Sequence, residues 1–392
     1  MKLKIAIAGA GIGGLATALL AAAEGHDITL FERFDQPRPV GSGLVIQPVG
    51  LAVLDLLGAG EDARAMSCPI RKMYGDLPQG GRPVLDVQYP TGAPGRAFHR
   101  ASLFDLLWRR VTAAGVPIVT SAVVTDAPLD QGRRLIRLQD GRDFGPFDLV
   151  VDASGSGSRL SPLAARALPY GAIWGTVPWP QDTELPRDQL RQRYRRADRM
   201  AGVLPVGNLP GDPQPIATIF WSMAVARMPE WDKTPIDAWK AEAQAIWPEI
   251  APFLRSITGT EQMTPARYAH GSLSRPYAEA MAFIGDSAHR ASPQLGQGAN
   301  MALLDALALV IALRQPLADA LPDYARMRRW HLRPYQAFSA VLTPMYQSDS
   351  LWLPWLRDHL LAPMAGWPVV RPMLSHLVAG DLLPPLAGER LP

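Results

Sequence analysis

Cysteine is nearly absent: Cys68 is the only one in 392 residues. That excludes an internal disulfide framework and fits a reducing, cytoplasmic setting. Long apolar runs are missing too. No stretch reaches the ~18 uninterrupted apolar residues of a membrane span, so stable membrane insertion is not expected. Charge of one sign is scarce: the net charge is +3, too little by itself to argue for a nucleic-acid partner. No repeat of fixed period and no metal-ligand spacing stand out. What is plentiful is core material. Hydrophobic residues make up 48% and charged residues 19%, enough for two domains or one large domain with an inserted lobe.

The opening "MKLKIAIAGAGIGGLATALLAAAEG" has the lysines and apolar run of a secretion signal. Four glycines interrupt that run, and "HDITLFER" follows as an alternating strand, which argues against a leader. Residues 2–8 read as a strand, 15–24 as a helix and 28–31 as a second strand. Between the first two, Gly9, Gly11 and Gly14 supply G-x-G-x-x-G. Each glycine has a task in a dinucleotide-binding turn: the tight bend, close approach of backbone to pyrophosphate, and close packing of helix on strand. The helix start offers free N–H groups and partial positive charge to phosphates, and Ile12 within the turn is a further candidate cofactor contact. Glu32, about 20 residues on, is placed for a ribose diol and disfavours a 2′-phosphate. The loop therefore holds FAD or NAD rather than NADP.

A second glycine-containing loop, "GDSAHRASPQLGQGAN", spans 285–300. A strand over 281–284 runs into it and a helix over 301–313 leaves it. Such a helix start stabilises negative charge, which a reduced flavin carries near N1 and the C2 carbonyl. Asp286, just past the strand end, is placed for the hydroxyls of a ribityl chain. One loop would take the pyrophosphate and the other the flavin end of a single extended FAD.

Together "GAGIGG", "FER", "GSGLVIQPVGLAVLDLLG", "HRASLFDLLWRRV", "DLVVDASGSGSRL" and "FIGDSAHRASPQLGQGAN" resemble the single-component FAD-dependent aromatic hydroxylases of the para-hydroxybenzoate hydroxylase type. The resemblance covers nearly the whole chain, and the last motif is its most specific part. It implies an FAD-dependent monooxygenase that uses NAD(P)H as a transient co-substrate. O2 would be activated as a flavin C4a-hydroperoxide to hydroxylate a small aromatic or conjugated substrate. It further implies cofactor contacts at Arg33, Arg100, Gly296, Gly298 and Asn300 beside the residues named above, and adenine contact by the backbone of Val124. It places Pro293 at the reacting side of the flavin and makes residues 38–44 the segment over which the flavin swings. A flavoprotein dehydrogenase or reductase and a non-catalytic nucleotide sensor share these motifs and stay as alternatives. The chain departs from the family at one point. The usual Gly-Ala-Asp-Gly reads Asp152-Ala153-Ser154-Gly155, so the acid tied to FAD binding and to the NAD(P)H response is replaced by serine, with Asp152 two residues earlier.

Other positions carry open readings. His289 is either a catalytic base or a group bonded to backbone behind the loop. Arg100 opens a helix over 102–111 and is either a cofactor contact or a solvated arginine. "RDQLRQRYRRADR", with six arginines, reads as a solvated edge or as a site attracting an anionic cofactor or substrate. Residues 162–277 turn to Trp, Pro and short strand patterns, among which Trp174, Trp221 and Met223 are candidates for an apolar substrate wall.

The fold expected is α/β: a Rossmann-like FAD-binding domain (1–70, 97–164, 276–330), an inserted β-sheet-rich substrate lobe (71–96, 165–275) and a C-terminal helical tail (331–392). The Trp-rich tail either packs back over the pocket or meets a membrane surface or a second subunit. A monomer or homodimer is expected.

Overall fold

A computed structural model describes residues 2–36, 42–78 and 81–389. The strand Lys4–Ala8 shows why the N-terminus folds as it does. Ile5 and Ile7 enter one core cluster while Ala6 enters another, the period-2 signature of a strand buried on both faces. It lies in the middle of a six-stranded sheet, parallel to Asp27–Phe31 on one side and Leu149–Asp152 on the other. Met281–Phe283 continues the parallel sheet beyond Leu149–Asp152, so the two loop-feeding strands sit one strand apart. The helices Ile12–Ala23, Arg100–Ala113 and Gly298–Ala312 cover one face through Leu15, Leu103, Leu107, Leu303 and Leu307. The other face carries a small antiparallel sheet drawn from residues 124–147, packed through Ile136, Leu138 and Phe147.

An eight-stranded sheet forms the second body. Its order is His289–Arg290, Met263–Ser272, Arg166–Pro178, Ile216–Ala224, Arg199–Pro205, Gln189–Arg195, Lys72–Asp76 and Pro83–Gln88. The helix Ile236–Ile246 and the turn before it cover one face, with Trp239 edge-on to Trp221 of the sheet and Trp231 of the turn edge-on to Trp239. The first strand in that order belongs to the second glycine loop: His289 pairs with Ser272 and Arg290 with Gly271. The loop thus starts at the end of one sheet and adds an edge to the other.

The helix Leu317–Tyr346 runs unbroken through residue 330, where the sequence suggests a boundary, and carries Pro322, Pro334 and Pro344 within it. It is anchored by a buried charge network. Asp305 accepts from Arg328 Nε at 2.7 Å and lies 2.6 Å from His289 Nε2. Arg328 also reaches the carbonyl of Pro385, and His331 Nε2 lies 2.8 Å from the carbonyl of Gly380. Burial raises the Asp305 pKa, but His289 and Arg328 outweigh it and hold the carboxyl well below its usual range.

Burial and the nearby Arg328 push His331 down to about 3. In the unfolded chain this imidazole takes a proton below about pH 6.5, whereas the fold keeps it neutral to about pH 3. Its share of stability is therefore lost as pH falls through that window, by at most ~1.4 kcal/mol per pH unit. His331→Gln, which still donates to Gly380, should flatten the decline. Urea unfolding at pH 7, 6 and 5 measures it, and identical pH slopes for the two proteins would refute this account.

Candidate functional site

The first loop is built so that side chains cannot fill it. Gly9 has φ +102°, and a Cβ there would lie 2.6 Å from the Ala153 carbonyl; one on Gly14 would lie 2.0 Å from the Gly9 carbonyl. A Cβ on Gly11 would meet only the Ala153 oxygen, at 4.0 Å, so that glycine borders open space. The helix begins at Ile12 without a side-chain cap. Its first backbone bond is Leu15 N–H to Gly11 O, which leaves the N–H groups of Ile12, Gly13 and Gly14 for a phosphate. Glu32 leans over the loop, accepting from Ala10 N–H at 2.9 Å and Phe34 N–H at 3.1 Å. Arg33 is exposed and lies over the Phe34 ring.

The second loop abuts the first. A Cβ on Gly13 and one on Gly285 would each lie 3.2 Å from Ala302 Cβ, so the absence of both side chains lets the two helix starts come together. Gly285, at φ +59°, gives its N–H to Asp305 at 2.9 Å. Asp286 is exposed, and its carboxylate has no partner among the described residues. Pro293 is exposed and opens a short turn that ends at Gly296, φ +62°. The helix then starts at Gly298, where a Cβ would meet nothing. Its first bond is Met301 N–H to Gln297 O, and it has no side-chain cap. Two uncapped helix starts, a glycine cradle and an unpaired acid match the donor and acceptor needs of a dinucleotide carrying a polyhydroxyl chain.

Several expected residues hold other positions. Asn300 is fully buried; its Oδ1 accepts from Gln47 N–H at 2.7 Å, and its Nδ2 donates to the carbonyls of Val45 and Gly296. Its side chain ties the loop to the strand Gly43–Ile46 and is not free for a cofactor. Val124 lies beyond the strand that follows Gly115. That strand is Ile118–Val119; Ser121 turns at φ +50°, and Val124 opens another strand against Leu138. The turn is held to the first loop's edge, since Ala122 N–H bonds Glu32 O. His289 is buried and occupied by Asp305, which fixes the loop and leaves its Nε2 unavailable as a base. Asp152 does not replace the family acid. It is fully buried and accepts from Ser154 N–H, Ser154 Oγ and Ser158 Oγ. Burial raises its pKa and these bonds oppose the rise. Ser154 itself is exposed above Gly9. Arg100 is exposed, gives its N–H to Ser42 O and has no acidic partner among the described residues. Of the 38–44 segment, residues 38–41 lie outside the described residues.

The sheet wall has two faces, and alternation assigns them. Trp221 and Met223 point into the cluster under the Ile236–Ile246 helix, away from the loops; one step along, Phe220 points the other way. Trp174 shares that second face. Its ring centroid is 4.6 Å from that of Phe220, and its Nε1 donates to Tyr268 Oη at 2.9 Å. Gly202 makes room for the Phe220 ring. His270, two residues beyond Tyr268 and on the same face, lies 3.3 Å from Ser339 Oγ, which also reaches the carbonyl of Ser292. The Trp174–Tyr268 wall thereby stands beside the Pro293 turn. His99 Nε2 contacts Thr176 Oγ1 at 3.1 Å, and burial lowers its pKa. The Thr218 hydroxyl, buried without a partner, would lie 2.8 Å from a Cβ on Gly43. Tyr268 and Thr218 were not singled out by sequence, because neither belongs to a motif; only the period-2 pattern could have placed them on this face.

Residues 194–330 match an FAD binding domain family and residues 7–39 an NAD(P)-binding Rossmann-like domain. The chain is 27% identical over 377 residues to an aurachin C monooxygenase/isomerase of Stigmatella aurantiaca, covering 93% of this chain and 95% of that protein. It is 28% identical to a probable 2-heptyl-3-hydroxy-4(1H)-quinolone synthase of Rhodococcus erythropolis, covering 82% and 83%. The crystal structure of HpxO from Klebsiella pneumoniae, complexed with FAD and uric acid, superimposes with a TM-score of 0.80 at 20% identity, over 97% of this chain and 98% of that one. With an FAD binding domain match and a Rossmann-like NAD(P)-binding motif, the chain is an FAD-dependent monooxygenase, similar to the single-component aromatic hydroxylases that its loop motifs resemble.

Proposed function

We propose that the protein hydroxylates an apolar fused-ring aromatic of quinolone type, held between the Pro293 turn and the Trp174–Tyr268 wall. The observation that carries this is the wall itself: an indole and a phenol, joined by a hydrogen bond, on the sheet face next to the flavin loop. The quinolone chemistry named for two relatives from Rhodococcus erythropolis supports it. When bound, FAD takes reducing equivalents from NAD(P)H and supplies them to O2, one atom of which enters the substrate while the other leaves as water.

The chain's own residues have separable tasks. The N–H groups at Ile12, Gly13 and Gly14 hold the pyrophosphate, Glu32 the ribose and Asp286 the ribityl hydroxyls. The start of the Gly298–Ala312 helix stabilises negative charge at the pyrimidine end of the ring. Tyr268 Oη accepts from Trp174 and keeps its proton to donate to a substrate oxygen or nitrogen. Trp174 and Phe220 exclude water and fix the ring plane, with the backbone of Pro293 on the opposite side. Arg100, Arg33, Gly296 and Gly298 border the cofactor. In this reading residues 71–96 and 165–275 form the substrate lobe. The protein works in the cytoplasm as a monomer or homodimer without nucleic acid, a setting in which the buried Cys68 thiol stays reduced.

The purified protein should be yellow and release FAD on heating. With 18O2, NAD(P)H and a quinolone, the product should gain one labelled oxygen; NAD(P)H oxidation yielding only peroxide with every aromatic tried would reject the assignment. Asp286→Ala removes charge-assisted hydrogen bonds worth roughly 1.5–3 kcal/mol each, so FAD affinity should drop tenfold or more. Unchanged flavin-fluorescence titrations would show that Asp286 does not face the ribityl chain. Tyr268→Phe should raise KM severalfold and divert turnover to peroxide while the rate of flavin reduction at saturating substrate stays within twofold. An equal loss in reduction rate would place Tyr268 elsewhere.

A further inference from the structure

The C-terminal tail has a segment turned inside out. Of the eleven large hydrophobic side chains exposed among the described residues, seven lie between Leu351 and Met373. Trp352 is 79% exposed, Trp355 54%, Trp367 55% and Val369 84%. Residues 352–364 form one helical run with a π-turn at Arg357–Leu361. On it Trp352, Trp355, His359, Leu360 and Pro363 face outward at helical spacing, while Arg357 is buried beneath. Arg357 reaches the carbonyl of Met345 and lies 5.1 Å from the rings of Tyr194 and Tyr346. A soluble surface helix has the opposite arrangement, apolar inward and charged outward.

We infer that this face, from Leu351 to Met373, docks the protein onto the surface of an anionic lipid bilayer. Three features favour a bilayer over a second copy of the chain. Tryptophan suits the membrane interface, where its ring sits in the apolar boundary and its N–H meets water, carbonyls and phosphates. The indole N–H groups of Trp352, Trp355 and Trp367 have no partner among the described residues, and a dry protein interface would leave them unsatisfied. The segment exposes a cation, Arg371, and a titratable His359 stacked on Trp355, but no carboxylate; Asp358 is turned inward to Arg357. A two-fold interface must be complementary to itself, and this patch has nothing to meet its own charge, whereas anionic headgroups do. The depth is shallow: no helix among the described residues is long and apolar enough to cross a membrane.

The patch also lies against the substrate site. Ala362, on the inner side of the run, packs on the cluster that holds Phe220 and Trp174. The helix Val370–Ala379 carries Met373 outward near its start, while near its other end the carbonyls of Leu377 and Val378 accept from Gln297 of the flavin loop. Ten residues span only ~15 Å. A membrane-dissolved substrate would enter the pocket from this side; that consequence rests on the proposed quinolone-type chemistry, but docking itself does not.

The FAD-loaded protein is to be sedimented with vesicles of phosphatidylcholine alone and of equal parts phosphatidylcholine and phosphatidylglycerol, with its solution mass measured in parallel. Wild type should pellet with the anionic vesicles and less with the neutral ones. The triple variant Trp352→Glu, Trp355→Glu, Trp367→Glu should lose at least tenfold in partitioning while keeping its flavin spectrum. Arg371→Glu should lose mainly the preference for anionic lipid. Wild type that stays in the supernatant overturns the proposal. If it is then a dimer that the triple variant dissociates, the patch is a subunit interface; if it is a monomer, the patch binds neither. Because binding is read by sedimentation, a failure to hydroxylate quinolones leaves this outcome unaffected.

Discussion

Asp305 is the group on which the site depends. It sits within the Gly298–Ala312 helix, almost wholly buried, and takes the N–H of Gly285, the ring of His289 and the guanidinium of Arg328. Those partners come from the strand end, the loop and the tail helix. A buried carboxylate with this many donors is stable only while all of them stay in place, and removing one typically costs several kcal/mol. The constraint is therefore all or none. The second loop cannot drift from its helix without leaving a charge unpaired in the core, and the tail cannot leave without stranding Arg328.

Rigidity there has a use. Two helix starts converge because Gly13 and Gly285 lack side chains against Ala302. In the proposed reading their free N–H groups would face one bound molecule and would not have to reorganise when charge develops on it. Asn300 and Gln47 extend the same logic sideways, tying the loop to Gly43–Ile46, with Tyr89 holding Gln47 at 2.6 Å. Among the described residues, the Asp286 carboxylate and the Thr218 hydroxyl have no hydrogen-bond partner, and the Tyr268 hydroxyl accepts from Trp174 while its proton has no acceptor.

The tail serves two surfaces at once. Its inner side packs through Ala362 on the Phe220 and Trp174 cluster and braces the second glycine loop through Gln297; its outer side presents tryptophans to whatever lies outside. A segment that must be apolar on both sides cannot be stabilised by an ordinary amphipathic pattern. The break at residues 365–369, which holds Pro368, lets the helical run 352–364 and the helix Val370–Ala379 turn to satisfy both.

Local chemistry determined the first loop, the second loop and their common ligand. Glycine spacing, strand ends and helix starts act over a few residues, and a backbone that must approach a phosphate leaves few alternatives to glycine. The same local logic placed Asp286 just past the end of its strand. Tertiary structure alone decided which groups remain free. Asn300, His289 and Asp152 have the right residue types for a site, yet each is occupied by partners as far as 255 residues away or by its own turn. Trp221 and Trp174 look equivalent as aromatic residues of strand-like segments, and only the covering helix makes one of them core and the other wall. Hydrogen-bond satisfaction and sheet-face assignment are long-range properties. They follow from what packs on an element, and no stretch of sequence carries that by itself.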